Sequence, residues 1–293
     1  MGESSRAATV EGLRISCNEL TARDLPLEII ARTAREAGFE GLGILPSTID
    51  ELGVRKVAAV LDGEGLSATS VCAFAGLIGP TPEAQAARLA EAARRLAAAA
   101  ELGVPLVVVV GGPAGPLGPR QAWEKAVFAV DELLERAARE GAEVLVEPLH
   151  PVLVAESVVT SLADAHALVG RSGTGGVVLD TWHVWWDARL REQADRAGRR
   201  VRIVHLSDWA PPGPGADLDR LLPGEGVAGL PALCADLLDG GFDGWWEVEI
   251  QSEKLWAGDQ VSLIRASYDA ARGVLETAVS PAAENAGVTD PGR

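Results

Sequence analysis

The segment GVVLDTWHVWWD, residues 176 to 187, opens as an uninterrupted apolar run and then sets Asp180 and His183 three residues apart among three tryptophans. The anomaly recurs along the chain. Glu147 closes VLVE, Asp180 closes VVLD, His205 closes RIVH, and Glu249 stands near the end of WWEVE. A charge at the end of a buried apolar run is costly unless it is paired or bound to a cation. Three carboxylates and one imidazole meeting at a point make a hard, oxygen-rich donor set. It suits Mn²⁺ best, then Mg²⁺ or Co²⁺, with Zn²⁺ less favoured, and leaves positions for substrate oxygens. Singly, each residue has a plainer use: a strand-end acid caps the next helix, and a histidine can be satisfied in a core. Jointly they point to a site, because the pattern holds on four successive runs and three of the four histidines (His150, His183, His205) lie in these segments. The fourth, His166, falls in a helical stretch. Glu247 shares strand parity with Glu249, so periodicity lets both face inward at different depths.

Such convergence requires elements that bring strand ends together. Eight short apolar runs are present: LRIS (13 to 16), GLGIL (41 to 45), LSATSVCAF (66 to 74), PLVVVV (105 to 110), EVLVEPL (143 to 149), GVVLDTW (176 to 182), RIVHLSD (202 to 208) and WWEVEI (245 to 250). Amphipathic stretches separate them. One starts at Thr81 and Pro82, carries Leu89, Ala93, Leu96 and Ala100 on one stripe and stops at Gly103; another runs from Gln121 to Gly141 with Trp123, Val127, Val130, Leu134 and Ala138. The tetrapeptides GFEG (38 to 41) and GFDG (241 to 244) lead into the second and eighth runs as equivalent helix-to-strand turns. Continuously apolar strands alternating with helices predict a parallel sheet, and eight such units close a (β/α)8 TIM barrel. An open doubly wound sheet is disfavoured, since the loop after the first run, CNELTARDL, has no glycine fingerprint. The expected domain spans residues 11 to 278, between tails at 1 to 10 and 279 to 293. In a barrel, active sites collect at the C-terminal strand ends, where the four anomalous residues stand.

Composition narrows the partners. Of 293 residues, 26 are basic and 42 acidic, and the net charge of −16 disfavours nucleic acid and anionic membrane surfaces. Three cysteines without metal-finger spacing suit a reducing compartment. With no leader-like segment and no membrane-spanning run, the expected location is the cytoplasm. Homo-oligomerisation is left open.

The motifs VEPLHP (146 to 151), LDTWHVWWD (179 to 187), VHLSDW (204 to 209), PGEG (223 to 226) and GFDGWWEVEI (241 to 250) together resemble the xylose isomerase-like TIM barrels, the sugar phosphate isomerases and epimerases, over roughly residues 11 to 275. In ketose 3-epimerases, inosose-processing enzymes and hydroxypyruvate isomerases, the matching Glu, Asp, His and Glu bind one divalent metal. The resemblance therefore implies Glu147, Asp180, His205 and Glu249 as ligands. The family glutamate follows the last glycine of the GFDG-like turn by five residues, which selects Glu249 over Glu247. The resemblance also gives His183 a substrate oxygen to contact, and Arg220, before the PGEG turn, a similar role.

The implied reaction moves a carbonyl or inverts a hydroxyl-bearing carbon of a sugar, keto-sugar or polyol. Glu147 and Glu249 exchange the proton, His183 polarises the carbonyl, and a metal stabilises the enediolate. His150 and Asp208 are further candidates for substrate hydroxyls, with loop capping as the other reading. Trp185 and Trp186 offer a stacking platform for a sugar face, or pack a helix or a dimer contact. GILPSTID provides Ser47 and Thr48 but no cation, which weakens the case for a phosphorylated substrate. Three alternatives stand beside the isomerase: a dehydratase of keto-inositol or dehydroshikimate type, a tailoring enzyme or subunit acting on a glycosylated natural product, and a non-catalytic sugar-binding barrel. The DNA-repair branch of the fold, endonuclease IV, needs more histidines than four and is disfavoured by the acidic charge.

Overall fold

The computed structural model describes residues 10–112, 117–211 and 218–280. Most of the two expected tails lies outside the described residues. Eight parallel strands, β1 (Arg14–Asn18), β2 (Gly41–Ile44), β3 (Ser67–Ala75), β4 (Leu106–Val109), β5 (Val144–Val146), β6 (Gly176–Asp180), β7 (Val201–Leu206) and β8 (Trp245–Val248), pair in chain order and close β8 onto β1. The fold is the expected (β/α)8 barrel.

The helices form for local reasons visible in their termini. Thr81 accepts the amide of Ala84, Pro82 occupies the first turn, and Gly103 ends the helix Pro82–Leu102 in the left-handed conformation at φ 74°. The helix Pro119–Glu140 buries a face offset from the expected stripe: Ala122, Ala126, Ala129, Leu133 and Ala137 turn inward with Val130 and Leu134, whereas Trp123 and Val127 are only half-buried and Ala138 is exposed. Alanines let this helix approach the barrel closely, and Val130, Leu133 and Leu134 fill the rest of the inward face. The two helix-to-strand turns are equivalent, with Gly38 and Gly241 both at positive φ and followed by a phenylalanine.

Two apolar regions result. A large one lies between barrel and helices. A small one, Cys72, Val107, Leu145, Val178 and Ile203, fills the barrel interior. Two residues further along β5, β6 and β7, the inward positions become Glu147, Asp180 and His205. The period of two that buries the apolar plug therefore also delivers a polar layer above it.

Candidate active site

Glu147 and Glu249 each stand one residue past the end of their strands, Asp180 ends β6, and His205 is the penultimate residue of β7. Register pairs Asp180 with His205, and His205 with Glu247. Glu147, Asp180, His205 and Glu249 are all buried, and each offers one ligand atom within 4.8 Å of the others. His205 Nδ1 lies 2.9 Å from Glu147 Oε1, 3.6 Å from Glu249 Oε2 and 3.8 Å from Asp180 Oδ2. Donor atoms about 2.1 Å from one ion can be at most about 4.2 Å apart, so a slight contraction of this cluster would enclose a divalent cation. Asp180 serves both readings at once: Oδ1 accepts the amides of Trp182 and His183 at the start of the short helix Thr181–Val184, while Oδ2 faces the cluster.

The guanidinium of Arg220, itself buried, donates to Asp180 Oδ2 at 2.7 Å and lies 2.8 Å from Glu249 Oε2. It also reaches Ser207 Oγ and the Glu249 carbonyl. Charges govern the protonation states. Burial alone would raise the Asp180 carboxyl, but the Arg220 guanidinium that donates to it holds it well below the usual carboxylate range. Burial, reinforced by Glu147 and Asp180 and opposed by His205 and Arg220, pushes Glu249 up to about 7. Burial disfavours a charged His205, yet Glu249 and Glu147 hold its pKa well above the ordinary imidazole value. Three carboxyl groups thus share a dry site with two cationic side chains, an arrangement that can take up a divalent cation in place of bound protons.

A cleft of about 430 Å³ opens above the cluster at the C-terminal end of the barrel. Glu147, His183, Arg220 and Glu249 form its polar floor, and Trp182, Leu153 and Trp256 contribute to its apolar wall. His183 Nδ1 accepts the amide of His150 at 3.0 Å, so the single proton of the neutral ring resides on Nε2. Burial lowers the pKa of this histidine to about 4, which keeps it neutral. The 3.2 Å approach of Arg220 Nη2 to Nε2 then sets two donors against each other, which an acceptor brought in by a ligand of the cleft would relieve.

Several expected substrate residues stand elsewhere. Asp208 does not line the cleft; its oxygens accept the amides of Trp209, Gly224 and Ala228, so it caps the PGEG turn. His150 supplies its amide to His183, while its ring accepts the amide of Val152 and packs against Trp182, Trp186 and Trp209. Trp185 packs on Trp209 and Trp186 donates to the His183 carbonyl; neither lines the cleft. Of the three tryptophans in that segment, the one that does is Trp182, nearest the strand. Also unanticipated are Cys72, whose thiol lies 3.6 Å from Glu249 Oε1, and the donors Ser16, Asn18 and Thr69 around Glu247. Cys72 faces inward three residues after Thr69, across a register irregularity in β3, so strand parity could not place it; the three donors carried no signal, because they reach Glu247 across more than 170 positions.

Comparison with known proteins agrees with this architecture. The fructoselysine 3-epimerase of Escherichia coli O157:H7 is 28% identical over 156 residues, 52% of this chain and 54% of that protein, so the chain spans about half the length of the curated relatives it matches. The crystal structure of protein SMc04130 from Sinorhizobium meliloti 1021 superposes with a TM-score of 0.82 at 27% identity, covering 91% of this chain and 99% of that one. The IOLI protein with a bound zinc atom superposes at 0.78 and 18% identity, covering 92% and 100%. The model of the xylose isomerase-like TIM barrel matches residues 31–272, and the chain belongs to that family.

Proposed function

We propose that the protein is a divalent-metal-dependent isomerase or epimerase of a sugar, keto-sugar or related polyol, with Glu147, Asp180, His205 and Glu249 as the metal ligands. The observation that carries this reading is the convergence of three carboxylates and an imidazole from four consecutive strands beneath one cleft. A bound cation would supply positive charge to the substrate oxygens next to the reacting carbon. Glu147 and Glu249 come from different strands and share the floor, which suits one to remove a proton beside a carbonyl and the other to return it. His183 would donate its Nε2–H to the carbonyl oxygen as charge gathers there, and Arg220 would hold Asp180 and Glu249 in place. The similarity to a fructoselysine 3-epimerase supports a carbohydrate substrate.

The test is hydrogen exchange. Incubated with Mn²⁺ and a panel of ketoses, keto-inositols and hydroxy-ketoacids in D₂O, the protein is expected to place deuterium on the carbon beside the carbonyl of its substrate, followed by NMR. Glu147→Gln should lower this uptake at least a hundredfold, since an amide cannot accept the proton. Turnover without solvent deuterium would point to internal hydride transfer and sink the proton-transfer reading; loss of water would identify a dehydratase.

A further inference from the structure

One buried carboxylate close to the cluster has no part in the reaction above. Glu247 is wholly buried and pairs in register with His205 of β7 on one side and Ser16 of β1 on the other, so the three side chains enter the barrel at one level. Ser16 Oγ donates to its Oε2 at 3.1 Å, Asn18 Nδ2 donates to Oε1 at 2.8 Å, and the Thr69 hydroxyl also donates to Oε2. On β2, a side chain at Gly43 would overlap Oε1, so the backbone there closes around the carboxylate. The remaining polar neighbour is His205 Nε2, 3.4 Å from Oε1, a buried nitrogen that has no hydrogen-bond partner among the described residues and has this carboxylate beside it. The opposite ring nitrogen, Nδ1, faces Glu147, Asp180 and Glu249.

The geometry points to Glu247 as a positioning residue that acts through His205: its carboxylate takes the Nε2–H and so, when a cation takes the place of the proton that Nδ1 shares with Glu147, aims the Nδ1 lone pair into the ligand cluster. This rests on the cation site proposed above. A neutral imidazole carries one proton, and an acceptor at Nε2 keeps that proton away from the ligating nitrogen. A carboxylate behind the ring also fixes its rotation and raises its basicity. The three donors from β1 and β3 restrain Glu247 in turn, holding it behind the histidine rather than beside it as a fifth ligand. The eighth strand therefore supplies two glutamates with different tasks, Glu249 in the cluster and Glu247 behind it.

Co²⁺ alone serves as the probe, added to the metal-free full-length chain and followed by visible absorption and by proton NMR. The parent is expected to bind one Co²⁺ and to show a strongly shifted, solvent-exchangeable imidazole N–H resonance that is absent from His205→Ala. Glu247→Gln and Glu247→Asp should weaken Co²⁺ binding about 10- to 100-fold and broaden or abolish that resonance. A role confined to holding the fold would shift the unfolding midpoint and leave the resonance of the folded, loaded chain unchanged. Should Glu247→Gln fail to fold, Glu247→Asp, which keeps the buried charge but draws it back from Nε2, decides the matter. Variants that bind Co²⁺ within twofold of the parent and keep its N–H resonance would overturn the assignment. A parent that binds no Co²⁺, or whose binding survives His205→Ala, would instead overturn the cation site itself.

Discussion

His183 shows how far one side chain is set by its neighbours. The amide of His150 fixes its tautomer, and burial keeps it neutral down to about pH 4. An unfolded histidine takes up a proton near pH 6.5, whereas this one does not until about 4, so in that window the unfolded chain binds more protons. Stability from this residue is complete above about pH 6.5 and is lost as pH falls toward 4. In chelator, His183→Gln should lose less stability than the parent between pH 6.5 and 4.5, measured by urea denaturation; equal losses would mean that the histidine is not held neutral. Glu147, Asp180, His205 and Glu249 were legible in the sequence because each interrupts an apolar run, and a charge there demands an explanation. His150, Asp208, Trp185 and Trp186 follow their strands in loops, where spacing says nothing of direction, and the structure turns them to capping and packing. Glu247 was ambiguous for a different reason: parity placed it inward but could not give its depth.

At the scale of elements, β2 contributes through what it omits. Its Gly43 leaves the room that the Glu247 carboxylate and the Asn18 amide occupy, and a methyl group would lie 3.0 Å from Asn18 Nδ2 as well as overlapping Glu247. Gly43→Ala is expected to cost about 1–3 kcal/mol of stability through overpacking, read by denaturant titration, and to weaken Co²⁺ binding in parallel. Unchanged stability and binding would show that the strand relaxes around the methyl. The run GLGIL announced a strand without showing why its second glycine matters, since the partner lies some 200 residues away. Strand order and helix termini were far more legible: eight apolar runs and the Thr81, Pro82 and Gly103 signals are local. The offset face of the helix Pro119–Glu140 was not, because small residues pack closest and carry little hydropathy.

At the scale of the molecule, charge and shape select among substrates. The cleft carries Glu156, Asp219 and Glu253 in addition to its floor, and Arg220, already engaged by Asp180 and Glu249, is the one cation among the described residues that line it. With a net charge of −16, the field at the mouth repels anions. A neutral ketose should therefore bind at least about tenfold more tightly than its phosphate ester at low ionic strength, and the gap should narrow as salt screens the field. Tryptophan fluorescence titration with fructose and fructose 6-phosphate measures this directly, and tighter binding of the ester would refute it. No helix among the described residues is long and apolar enough to cross a membrane.

The division of labour around the barrel also has a consequence for biosynthesis. Residues that brace the cluster, Ser16, Asn18, Gly43 and Thr69, belong to the first three strands, while the cluster itself is drawn from the last four. A chain made from its N-terminus completes the bracing side first. Glu247 and Glu249 arrive together on the strand that closes the ring, so a cation that depends on both would be captured only once all eight strands have been made. Choice among competing metal ions would then be exercised by a finished barrel of set geometry rather than by loose thiol and carboxylate groups on a nascent one.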